Sequence, residues 1–391
     1  MSKQKAGVNT LCTHFGSLDD TVYKGAVSPL YMSTSYAFMD VEKNRYPRYF
    51  NTPNQESLSK KIAALEHGES ALIFSSGMAA ISTTLLAFLK TGDHVVMQRD
   101  IYGGTRHFIE AHFKDYQIEY TFTEGVEVSD FENAIQANTK LIYIETPSNP
   151  LLKLVDIEAI VQLAKTRQVL TAIDNTFASP IVQTPMDFGI DIVLHSATKY
   201  LGGHSDISAG VVVASNAHME RVTNLARSLG GNLSEFTVWL LERSIKTLGI
   251  RVKAQQRNAK KLAKYLHKHA AIKTVNYPGL KSHPDHELAK KQMNGFGAML
   301  SFELNEGIAA ESFMKALQLI KPSMSLAGLE STMILPSTSS HKLLSAEERA
   351  TQGISYQLIR LSCGIENKHD LIHDIENALA MCGALEEEIK N

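Results

Sequence analysis

From about residue 56 onward, short apolar runs alternate with amphipathic stretches, and the period of each predicts an element. The runs at 71–74, 94–97, 141–145, 170–174 and 192–195 are mostly separated by enough chain for a helix. Continuous apolar runs spaced in this way predict buried, largely parallel strands joined by helical crossovers. Residues 70–89 carry no charge and approach the length of a membrane span. The polar turn Ser75-Ser76-Gly77 divides them, so they are read as a buried strand, a tight turn and a helix.

A helical stretch from about 236 to 269, apolar at every third and fourth position, leads into a different rhythm. Past a junction near Gly249, strand-like segments at 298–304 and 358–362 stand among helical ones at 309–320 and 370–388, which predicts a smaller α+β domain. The first fifty or so residues are irregular and rich in Ser, Thr, Tyr and Pro, and such an arm needs another surface to pack on. The expected organisation is an arm over 1–51, an α/β domain over 52–248 and a smaller domain over 249–391.

Composition narrows the partners. A net charge of -2 without a basic cluster gives no electrostatic basis for a nucleic-acid partner. Cys12, Cys363 and Cys382 show no C-x-x-C spacing, which argues against a zinc site or disulfide frame and suits a reducing compartment. No metal is expected. Residues 1–9 are polar and lack the apolar stretch of a secretory signal, so a cytoplasmic location and no membrane contact are expected.

In parallel sheets, ligands sit beyond the carboxyl ends of the strands, and several runs here end in reactive groups. The run 191–195 delivers Ser196-Ala197-Thr198-Lys199 and then a glycine-rich turn. Lys199 is read either as a surface lysine or as an amine placed to form an imine beside hydroxyls that contact a phosphate. Asp174 ends the apolar run 169–173 and is read either as a turn residue or as a buried carboxylate awaiting a cationic partner. Ser76, Gly77 and Met78 open a helix, either as an ordinary capped turn or as a phosphate cradle. Tyr102 precedes two glycines and is placed to stack on a flat ring, or simply forms an aromatic-glycine loop. Asn149 follows another strand and can donate to a ligand oxygen. Arg360, alone in the apolar segment 358–362, wants a carboxylate, either internal or from a ligand.

Taken in order, Ser75-Ser76-Gly77-Met78, Tyr102-Gly103-Gly104-Thr105, Glu145-Thr146-Pro147-Ser148-Asn149-Pro150, Asp174-Asn175-Thr176, Ser196-Ala197-Thr198-Lys199 and Arg360-Leu361-Ser362 closely resemble the Cys/Met-metabolism enzymes that use pyridoxal 5'-phosphate (PLP). The family includes cystathionine γ-synthase, the cystathionine lyases and methionine γ-lyase. The resemblance implies the PLP-dependent transferase fold type I, with a mainly parallel seven-stranded sheet, and homotetramers built from tight dimers with shared sites. It implies that Lys199 is the Schiff-base lysine, that Asp174, with Thr176 beside it, faces the pyridine nitrogen, and that Tyr102 stacks on the ring. Ser76, Gly77, Met78, Ser196 and Thr198 match the phosphate cradle, and Tyr46 and Arg48 match residues that reach the phosphate of the partner subunit. Arg360, with Ser337 and Asn149, resembles the grip on the substrate α-carboxylate.

The function so implied is a carbon–sulfur lyase acting on cystathionine or a related sulfur amino acid. γ-Replacement (a cystathionine γ-synthase or an O-acylhomoserine sulfhydrylase) is the alternative. Methionine γ-lyase, an aminotransferase and a non-catalytic PLP-binding protein stand further back. Departures from the family pattern fall where the distal end of the substrate is read. Arg45 stands where an acidic residue is common, Thr105-Arg106-His107 replaces Thr-Asn-Arg, and Gly104 replaces the cysteine typical of methionine γ-lyase. Glu330 is retained.

Overall fold

The computed structural model of the chain describes residues 6–342 and 344–390. It divides into two compact units, one made of residues up to 145 and 155–250, the other of 146–154 and 251 onward. The arm lies within the first unit, and the expected continuous domain over 52–248 is interrupted by the excursion of 146–154. Sequence periodicity cannot register such an excursion, because the segment is a loop with no pattern of its own. The division at 250/251 falls inside the helix Leu248–Leu266. The stretch 236–269 is therefore two helices, Glu235–Ile245 and Leu248–Leu266.

In the first unit, β1 (Ser70–Phe74), β2 (His94–Met97), β3 (Glu119–Phe122), β4 (Thr139–Glu145), β5 (Leu170–Asp174), β6 (Ile192–Ser196) and β7 (Gly210–Ala214) form one sheet in the order β1-β7-β6-β5-β4-β2-β3. Only β7 runs against its neighbours; the remaining pairs are parallel. The carboxyl ends of β1, β2, β4, β5 and β6 thus lie along one edge, and β7 begins there. Strands β2 and β7 are buried throughout, as expected for strands covered on both faces. The half-exposed edge strand β3 is absent from the sequence reading because its Glu-Tyr-Thr-Phe carries no apolar run.

Four helices matter to the site: α1 (Val8–His14), α2 (Pro53–Leu65), α3 (Gly77–Phe88) and α4 (Gly103–His112). Helix α2 starts where Thr52 and Gln55 cap each other reciprocally and Pro53 fixes the first helical φ. Phe74, Leu85, Met97, Tyr143, Leu194 and Val212 belong to one buried cluster between α3 and the sheet. The arm is tied down by polar contacts: Lys61 Nζ, fully buried, donates to Cys12 O (3.0 Å), Ser57 Oγ to Gly16 O (2.6 Å) and Trp239 Nε1 to Ser28 O (2.8 Å). Val22, Tyr23, Met32, Phe38 and Met39 of the arm remain exposed.

The second unit has a five-stranded sheet in the order β10-β11-β12-β9-β8, from β8 (Ile272–Asn276), β9 (Met299–Leu304), β10 (Lys321–Pro322), β11 (Thr332–Ile334) and β12 (Leu358–Ser362). All its pairs but β10 with β11 are antiparallel. Among the described residues, no helix is long and apolar enough to cross a membrane.

Candidate active site

Helix α3 begins directly after β1. Ser76 is its cap in extended conformation, its Oγ accepting from Ala79 N (3.1 Å). That bond satisfies one helix-start donor and leaves the hydroxyl hydrogen to point elsewhere. The N–H groups of Gly77 and Met78 have no intrahelical acceptor, which makes this end of α3 suited to an anion. Packing here is backbone on backbone. A Cβ at Gly77 would come 2.9 Å from Ser196 Cβ, and one at Gly210 would come 2.0 Å from Ser76 O. Only glycine at both places lets the α3 start close on the ends of β6 and β7.

Ser196 ends β6 and is held by Thr176 Oγ1, which accepts from Ser196 N (2.8 Å). Thr198 is locked to Ala209 in both directions, its N–H donating to Ala209 O (3.2 Å) and its Oγ1 accepting from Ala209 N (3.0 Å). Lys199 follows in the turn closed by Gly203 N on Lys199 O (2.7 Å), with Gly203 at φ +69°. The lysine is therefore set by the backbone of a short turn rather than by a long mobile loop.

On the adjoining strand, Asp174 pairs in register with Glu145 on one side and Leu194 on the other. It is 5% exposed, and burial pushes its carboxyl above the usual range. Hydrogen bonds from Thr176 and the charge of His195 work against that rise without cancelling it. A cationic donor seated against Asp174 would restore its charge, and this is what the site lacks electrostatically. Thr176 acts in this structure as the tie between the Asp174 turn and the end of β6, since its N–H donates to Asp174 Oδ1 (3.0 Å).

Tyr102 caps α4 and is 47% exposed. Its N–H donates to Glu145 Oε2 (2.8 Å), while Glu145 N donates to Gln98 Oε1 (2.8 Å). Gln98 and Glu145, at the ends of β2 and β4, fix the tyrosine loop, and the sequence reading assigned them no role. A Cβ at Gly104 would come 2.5 Å from Tyr102 Cε1 and 3.3 Å from Met78 Sδ, so the starts of α3 and α4 adjoin and glycine at 104 gives the ring its place.

In the second unit Arg360, on β12 and 4% exposed, donates through Nη1 to Asn149 Oδ1 (3.0 Å) and through Nη2 to Ser325 O (3.1 Å). Asn149 thus orients the guanidinium with its carbonyl oxygen, where the sequence had suggested a donor to ligand. Ser337 is buried nearby in sequence register, after Ile334, which pairs with Arg360, and its Oγ has no hydrogen-bond partner among the described residues. Glu330 is exposed.

The arm residues are engaged within their own unit. Arg45 Nη1 contacts Asn51 O and Glu56 Oε2 (2.9 Å), so its charge is met by a carboxylate of α2. Lys43 also pairs with Glu56. Arg48 donates to Arg227 O and lies over the rings of Tyr46 (5.7 Å) and Tyr49 (5.4 Å). Tyr46 is exposed.

Fold and site together define a class: an α/β enzyme built around a phosphate-bearing cofactor at the carboxyl edge of its sheet. The chain belongs to the Cys/Met metabolism family of PLP-dependent enzymes, whose family model matches residues 9–380. It is 42% identical to the cystathionine γ-lyase of Bacillus subtilis over 374 residues, covering 95% of this chain and 98% of that protein. It is also 42% identical to a cystathionine β-lyase of Lactococcus lactis subsp. cremoris over 378 residues, with the same coverage of 95% and 98%. Among solved structures, the cystathionine γ-lyase of Lactobacillus plantarum in complex with L-serine superposes with a TM-score of 0.93 at 40% identity, covering 97% of this chain and 100% of that one.

The residues fit PLP. The glycine-closed start of α3 suits a phosphate, and a buried carboxyl short of positive charge suits a protonated ring nitrogen.

Proposed function

We propose that the protein is a PLP-dependent carbon–sulfur lyase of the trans-sulfuration type, acting on cystathionine or a related sulfur amino acid. The observation that carries the reading is the register of β5 and β6, which sets Asp174 beside the strand that leads into Lys199. Its direction toward C–S cleavage is supported by the lyase names of the relatives.

When bound, the cofactor supplies an electrophilic carbon for the substrate amine and an electron sink for charge developing at the α carbon. In this reading Ser76, Gly77, Met78, Ser196 and Thr198 hold the phosphate. Asp174 holds a proton on the ring nitrogen, with Thr176 fixing its turn, and Tyr102 covers the ring. The Lys199 amine takes the proton from the substrate α carbon, and its return of that proton at the β carbon opens the γ route. Tyr102 Oη gives a proton to the departing sulfur. Arg360, with Asn149 and Ser337, holds the substrate α-carboxylate. Arg45 and Glu330 are assigned to the distal end of the substrate, Arg45 acting through its bond to Glu56.

The same reading carries a cytoplasmic homotetramer of tight dimers in which Tyr46 and Arg48 serve the neighbouring subunit's phosphate. The exposed apolar residues of the arm support it.

The test is product analysis of the holoenzyme with L-cystathionine, then with O-succinylhomoserine plus cysteine. Cysteine with 2-oxobutyrate marks γ-elimination, and homocysteine with pyruvate marks β-elimination. No cleavage, but cystathionine from the second mixture, replaces the lyase with a γ-replacement enzyme.

A further inference from the structure

On the face of the sheet opposite Asp174 lies a buried polar cluster for which the mechanism has no use. Glu66, immediately after α2, is 0% exposed. Its Oε1 lies 2.6 Å from His195 Nε2 and accepts from Asn175 Nδ2 (2.8 Å). Its Oε2 is buried without a hydrogen-bond partner among the described residues. Asn175 is fixed further, with Nδ2 donating to Gln183 O (2.9 Å), Oδ1 accepting from Gln183 Nε2 (3.1 Å) and N–H donating to Leu194 O (2.9 Å).

One carboxylate therefore ties together the residue after Asp174 and the strand that leads into Lys199. Strand alternation explains the placement. Asp174 shares a face with Ala172 and Leu194, whereas His195, next along β6, faces the other way, toward the end of α2. A lock for two strand ends needs only an acceptor, and a glutamine supplies one. A carboxylate buried at this cost, with one oxygen unmatched, does something a neutral acceptor does not: it demands a positive charge on the imidazole.

We infer that Glu66 and His195 are a positioning pair behind the cofactor, in which Glu66 keeps His195 protonated and the imidazolium keeps Asp174 ionised to hold the proton of the ring nitrogen. The inference rests on the reading of Asp174 as partner of that nitrogen. It accords with the lowering effect of the His195 charge on the Asp174 carboxyl, which burial otherwise pushes up. Neither residue touches the reacting atoms.

The test titrates apoprotein with PLP and with its analogue whose ring nitrogen is replaced by CH. Asp174→Asn is the marker: it weakens PLP and spares the analogue. Glu66→Gln, which keeps an acceptor for Asn175 and removes the charge, is expected to do the same, weakening PLP about tenfold, the scale of one charge-assisted hydrogen bond. Equal loss of both ligands assigns Glu66 to structure alone and overturns the inference, as does no loss. Failure of Asp174→Asn to discriminate overturns the reading of Asp174 and takes this inference with it. Imidazole ¹⁵N resonances of the unmodified apoprotein decide independently of whether any variant folds. His195 protonated on both nitrogens at neutral pH is expected, and a neutral tautomer refutes the pair.

Discussion

Asn149 and Arg360 allow a sharp test because the structure makes one act through the other. Arg360 is buried on β12, its Nη1 hydrogen dedicated to Asn149 Oδ1 at 3.0 Å. Charge-assisted hydrogen bonds contribute about 1.5–3 kcal/mol each, so Arg360→Ala, losing a two-pronged grip on the substrate carboxylate, should lower kcat/KM by at least about a hundredfold, mostly through KM. Asn149→Ala removes one such bond from the guanidinium and should cost about tenfold. If Asn149 works only by orienting Arg360, the double variant is no worse than Arg360→Ala, a coupling of about 1.4 kcal/mol. The assay is initial-rate kinetics on L-cystathionine for the four proteins, with thermal melts to confirm equal folding. Independent costs that multiply to about a thousandfold would refute the argument, since Asn149 would then touch the substrate itself.

Lys199→Ala should abolish turnover and the long-wavelength absorbance of bound PLP, read by spectrophotometry; retention of both removes Lys199 from its role. Gly210→Ala places a Cβ 2.0 Å from Ser76 O, so the β1–α3 turn must move, and PLP affinity should fall by about tenfold or more with a lowered Tm; unchanged binding would show that this turn does not hold the phosphate. Arg45→Glu sets like charges beside Glu56 and should open the segment 43–51 to limited proteolysis while changing preference among cystathionine, homocysteine and O-acylhomoserines; an unaltered preference leaves Arg45 a purely structural residue. Burial works to raise Glu56, but bonds and charge from Lys43 and Arg45 outweigh it and hold its carboxyl below the usual range. Its contribution is therefore present above the unfolded pKa of about 4.3 and lost as pH falls through the lower folded value, so the arm should become protease-sensitive in acid, and Glu56→Gln should show that sensitivity at neutral pH.

The arm shows where a reading by residue type stops. A basic residue at 45 reads as a contact for something outside the chain, yet Glu56, eleven positions on and at the start of α2, meets its charge. Asn149 reads as a donor and acts as an acceptor, because its partner lies 211 residues away on β12. Glu66 and His195 read as nothing in particular. Glutamate at a helix end is commonplace, and only the pairing of β5 with β6 brings His195 and Asn175 to the same oxygen. By contrast, Lys199, Asp174, Ser76 and Tyr102 were legible, because each follows directly on an apolar run or opens a helix.

The sequence by itself determined what is local. Apolar runs and polar turns defined most strands of the large sheet, and the reactive residues just after them identified the edge where chemistry occurs, since burial and backbone hydrogen bonding act over neighbouring residues. Tertiary structure alone decided what depends on strands meeting. Strand β7 runs against the rest, glycine is required at 77 and 210 because backbones from distant segments close on one another, and 146–154 leaves the first unit for the second. These are consequences of non-local packing, which no periodicity along the chain encodes.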